Sequence, residues 1–181
     1  MNTREIADVL AKIASEFALG SPDPSGATVA LNRGDEGLLK SLDKVSAAAA
    51  SSTHAGGGSI AAHTDHLRYG FSILNRWMAG EVKPWTGADW TLSWKKNEVT
   101  DAEWVALRAE LRREALAWIE GIRTPRDTDP IELGWLIGSI AHLCYHVGAI
   151  RQIDRAARGP KAEDERRAEE ALRRKEMGHH S

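Results

Sequence analysis

The chain has 181 residues, 42% hydrophobic and 28% charged, which fits one domain with a real core. Its 24 Lys plus Arg against 26 Asp plus Glu give a net charge of −2, without the basic excess that drives general nucleic-acid binding. One cysteine, Cys144, excludes an internal disulfide and a cysteine-built zinc cage. No apolar run approaches the roughly 20 residues of a membrane span, and Met1–Ile6 lacks a signal-peptide pattern. The expectation is a cytoplasmic protein with no nucleic-acid or membrane partner.

In chain order, Thr3 to Leu19 reads as a helix capped by Thr3, with Ile6, Leu10, Ile13 and Phe17 at helical spacing. Gly20 to Gly26 stops it, and a loop leads on to Gly37. Leu38 to about Ala50 reads as one weaker helix. Ser51 to Gly58 breaks the chain again, and Ser59 is the N-cap of a long helix to about Ala79. Residues Glu81 to Thr100 form a long connection, a kind of segment often tied to function. Thr100 and Glu103 form a capping-box pattern that opens a helix to about Ile122. Asp129 before Pro130 suits an N-cap with proline at the first helical position, and this last core helix reads to about Arg158. The spacing predicts an all-α fold: a four-helix bundle over residues 1–158, with a long connection between the second and third core helices. Residues 159–181 form a mixed-charge tail, helical or disordered.

Seven tryptophans lie between Trp77 and Trp135, against two Phe and two Tyr in the whole chain. A tryptophan-rich core is the first reading, because buried aromatics are mostly packing. An aromatic-walled pocket is the second, with Trp85, Trp90 and Trp94 lidding it from the long connection.

The histidines carry the chemistry. His54 lies in a Gly/Ser loop, and His179 and His180 in the polar tail. The other four sit on the two most apolar helices. His142 and His146, four apart, share one helix face, a common way for a helix to grip a transition metal. His63 and His66, three apart, can both turn inward. A histidine in an apolar run is costly to bury without a partner, and one divalent cation can serve several. Gly70 and Gly138, one turn from His66 and His142, leave room for a water or substrate.

The segments Ser59-Ile60-Ala61-Ala62-His63-Thr64-Asp65-His66-Leu67 and Ala141-His142-Leu143-Cys144-Tyr145-His146-Val147-Gly148-Ala149-Ile150-Arg151-Gln152 resemble the DinB/YfiT-like metalloenzyme family over roughly residues 3–158. The resemblance implies a four-helix bundle in which three histidines hold zinc, nickel or a similar metal. Carried over by position, the ligands are His66, His142 and His146. His63 departs from the family pattern and is a candidate fourth ligand, outer partner or proton carrier. Ala149 departs too, standing where many relatives carry Gln.

The resemblance further implies a thiol-dependent S-transferase or isomerase acting on a small-molecule substrate with a low-molecular-weight thiol. Water activation for hydrolysis remains the alternative. His63 and Tyr145 are the candidate catalytic groups. Cys144 reads as packing, Arg151 as a surface ion pair, and a homodimer is expected. The competing readings are a non-catalytic, stress-related or structural metal bundle with four protein ligands, and an interaction protein with incidental histidines.

Overall fold

In the computed structural model, residues 3–23, 26–53, 56–124 and 126–161 are described, and all their regular structure is helical. The chain forms six α-helices in order: α1 (Thr3–Leu19), α2 (Gly37–Asp43), α3 (Ala47–Ala50), α4 (Ile60–Met78), α5 (Asp101–Arg123) and α6 (Pro130–Ile153). Two 3-10 turns, Leu92–Trp94 and Arg155–Ala157, complete them. Expectations for His54, His179, His180 and most of the charged tail fall outside the described residues.

The long helices start where their capping residues stand. Ser59 accepts from Ala62 N–H, Thr100 and Glu103 form the reciprocal capping box, and Asp129 with Glu132 forms another around Pro130. The Leu38–Ala50 segment is not one helix. Ser46 turns extended and caps α3 by accepting from Ala49 N–H, so α2 ends before it. The last core helix is also shorter than expected. Asp154 adopts an extended conformation and caps the turn Arg155–Ala157, ending α6 at Ile153.

Helix α5 packs on both α1 and α4, and α6 packs on the same two helices. Between them lie fully buried Ile60, Leu67, Leu111, Trp118, Leu143 and Ile150. The tryptophans divide by role. Trp104 and Trp118 belong to the core: Trp104 Nε1 donates to the Val45 carbonyl at 2.7 Å, while Trp118 stacks on Phe71 with its own N–H unpaired. Trp85, Trp90 and Trp135 instead face a cavity, so the core reading covers only part of the set.

Two features tie α1 to the loop and helix beyond it. Buried Glu16 accepts from the backbone N–H of Val29, Ala30 and Leu31 at 2.7–2.8 Å, pinning the first loop. Gly20 and Gly37 have φ of +82° and +74°, and a Cβ on Gly37 would fall 2.2 Å from Gly20 N. Only glycine permits that crossing of the start of α2 over the end of α1. Arg151 is not a surface pair: it reaches from α6 to nearly buried Asp35 at 2.8 Å.

By length and composition α6 is apolar enough to cross a membrane, contrary to the expectation from the sequence. A third of its most apolar window is buried within the protein. Ile131, Trp135, Ile137 and Tyr145 on the same helix are exposed.

Candidate metal centre

Helices α4 and α6 bring their histidines face to face. His66 Nε2 lies 3.2 Å from His142 Nε2, and His142 Nε2 lies 2.9 Å from His146 Nε2. The three residues can hold a metal ion, their ligand atoms all lying within 4.8 Å of one another. Imidazole nitrogens sharing one ion at about 2.0–2.1 Å must themselves approach to roughly 3 Å, and both pairs that involve His142 do. His146 is wholly buried and His66 is 7% exposed.

Hydrogen bonds behind the rings determine which atoms face inward. Ser93 Oγ donates its proton to the Trp90 carbonyl at 2.7 Å, so it can only accept from His66 Nδ1, 2.8 Å away. That places the His66 proton on Nδ1 and leaves the Nε2 lone pair toward the other two histidines. His63 Nδ1 lies 2.8 Å from His146 Nδ1, and one proton is shared between them. When His146 donates it, the His146 Nε2 lone pair also faces the cluster. His63 thus stands behind His146 and outside the group of three.

Electrostatics favours a cation other than a proton. Burial lowers the pKa of all four histidines. For His66, burial and the neighbouring His142 and His63 bring it to about 4, against the pull of Asp65. For His146, burial and repulsion from the other three bring it to about 2. At neutral pH several lone pairs therefore crowd together with too few protons to bridge them, a donor set suited to a divalent transition metal.

The long connection supplies part of the support. It is tied back along its length: Asp89 N–H donates to Tyr69 Oη, Ser93 pairs with His66, and Ser59 N–H donates to Asn97 Oδ1. Trp94 stacks on His66 with ring centres 4.5 Å apart and meets His63 edge-on at 5.1 Å. Nothing in the sequence singles out Ser93; its place in the connection opposite α4 is visible only once the chain folds.

Beside the histidines opens a cavity of about 610 Å³, with His66 and His142 in its wall. Gly70 and Gly138, expected to leave space, both line it, and a Cβ on Gly138 would meet nothing within 4 Å. Tyr145 does not line it: the residue is 65% exposed, and its ring stands nearly perpendicular to that of His146 with centres 5.1 Å apart. Cys144 packs at the margin of the core, and burial pushes its thiol pKa up, which suits packing rather than nucleophilic use. Compared with known proteins, the chain matches no family model, no curated protein and no solved structure.

Proposed function

We propose that this chain is a metal-dependent enzyme on a four-helix bundle of the DinB/YfiT-like kind, using His66, His142 and His146 to hold zinc or nickel. The carrying observation is that His142 Nε2 lies 3.2 Å from His66 Nε2 and 2.9 Å from His146 Nε2 beside a cavity, with ligand atoms of all three residues within 4.8 Å of one another. A divalent ion held by three neutral imidazoles keeps its charge and an open position, where a thiol or water is deprotonated near neutral pH. Ser93 orients His66, and His63 orients His146. A thiol S-transferase and a hydrolase both fit this arrangement.

A closed structural site would need His63 as a fourth ligand, and the Nδ1 of His63 is already engaged by His146 Nδ1 at 2.8 Å. That favours the open, catalytic reading. The test is metal analysis of protein lacking His179 and His180, wild type beside His142→Ala. About one equivalent of divalent metal in the wild type and little in the variant is the expected result. Well under half an equivalent, with none gained on dialysis against zinc, would reject the reading.

A homodimer through α6 is part of the same proposal. Ile131, Gly134, Gly138, Ala141, Tyr145 and Gly148 are all exposed and alternate three and four apart along one stripe. The stripe has no charged residue, and its small members Gly134, Gly138, Ala141 and Gly148 are flanked by the larger apolar Ile131 and Tyr145. Light scattering should report a dimer for the wild type and a monomer for Ala141→Glu; a monomeric wild type at micromolar concentration rejects the pairing.

A further inference from the structure

The walls of the cavity say what kind of molecule belongs there. Among the described residues, no Asp, Glu, Lys or Arg lines it. Of its polar side chains, Ser139 is already committed, its Oγ donating to the Leu136 carbonyl at 2.7 Å. Apart from indole N–H groups, that leaves only His66 and His142 among the described lining residues. A charged group carried into such a space loses its hydration and finds no counter-charge.

The remaining surface is aromatic and aliphatic. Trp85 and Trp135 meet edge to face at 4.6 Å, and Trp90 is set against Tyr69 at 5.5 Å. These rings are held by one another, so the walls are formed before anything binds. The volume, about 610 Å³, lies in the range of pockets that enclose small organic ligands. Gly70 on α4 and Gly138 on α6 keep its two sides open.

We propose that this cavity binds a neutral, ring-bearing apolar molecule, its body between Trp85, Trp90 and Trp135 and its single polar end at His66 and His142. The inference rests on the metal-enzyme reading for the role of the polar end alone. The apolar body is held by the walls with or without a bound ion. A thiol such as glutathione, with two carboxylates and an ammonium group, is excluded from the cavity and reaches the histidines only with those charges left outside.

The test uses the neutral fluorophore N-phenyl-1-naphthylamine, titrated into zinc-loaded and metal-free full-length protein. Saturable binding is expected in both forms. Gly70→Leu and Gly138→Leu fill the cavity from opposite walls and should each weaken binding at least tenfold while zinc binding and helical content persist. Leu116→Ala, exposed on α5 and outside the cavity, should bind as the wild type does. The small neutral thiol 2-phenylethanethiol should displace the probe, and glutathione at the same concentration should not. The proposal is overturned by no saturable binding to either form, by wild-type binding in both filled variants, or by equal displacement by the two thiols. Probe binding that survives in a protein unable to hold zinc would sink the metal reading and leave the apolar pocket standing.

Discussion

Replacing His63 separates a supporting histidine from a ligand. Its Nδ1 sits 2.8 Å from His146 Nδ1, while the Nε2 atoms of the other three histidines converge elsewhere. His63→Ala therefore removes the group that fixes the His146 ring and leaves the donor set intact. Losing such an outer partner typically weakens metal binding about 10- to 100-fold, or about 1.4–2.7 kcal/mol. His66→Ala, His142→Ala and His146→Ala each remove a donor and should lose far more than a hundredfold. His63→Gln keeps an acceptor near His146 and should recover part of the loss, which filling the same space with an apolar side chain would not. Zinc titration against a chromophoric chelator, with circular dichroism to verify folding, reads all five variants. Equal loss at His63 and His66 would refute the argument and point to four ligands. An unchanged His63→Ala would show that the His63–His146 contact does not orient the site.

The same geometry carries the other expectations. Ser93→Ala frees the His66 ring and should weaken zinc about tenfold in the chelator competition, with the helical content of the metal-free protein retained. The metal-free protein should lose stability in acid. With folded pKa values held below 6.5, the unfolded chain binds more protons, so the contribution of these histidines is full above about 6.5 and falls as pH drops toward about 4 for His66. Urea unfolding at pH 7.5, 6 and 5 checks this, and a flat profile counts against burial of neutral histidines. Burial raises the Glu16 pKa, but three backbone N–H groups outweigh it and hold the carboxyl below its usual range. Glu16→Ala should cost roughly 2 kcal/mol or more, read by urea unfolding at pH 7, and a loss under about 0.5 kcal/mol would show that the staple is idle. Gly37→Ala combines a left-handed φ with a 2.2 Å approach to Gly20 and should lower the melting temperature by several degrees; a gain would mean that the crossing relaxes freely.

What could be read from sequence was local. Caps at Ser59, Thr100 and Asp129 mark helix starts because the capping bond spans only three residues. The i, i+4 spacing places His142 and His146 together for the same reason. The break at Ser46 was also local, but four alanines after it look equally helical from either side. Contacts between distant segments left no mark of that kind. Glu16 reaching Leu31, Asp35 reaching Arg151 and Ser93 holding His66 join residues 15, 116 and 27 positions apart. Nor does composition say which tryptophan faces a core and which a cavity, since both environments reward the same apolar area.

The stacking of Trp94 on His66 makes the centre its own optical probe. An indole in van der Waals contact with a would-be ligand is within quenching range of any open-shell ion seated there. Copper or nickel would dim that tryptophan, whereas closed-shell zinc would leave its emission largely intact. Metal identity and exchange could thus be followed by fluorescence in unlabelled protein, with Trp94→Phe separating the Trp94 signal from the other six.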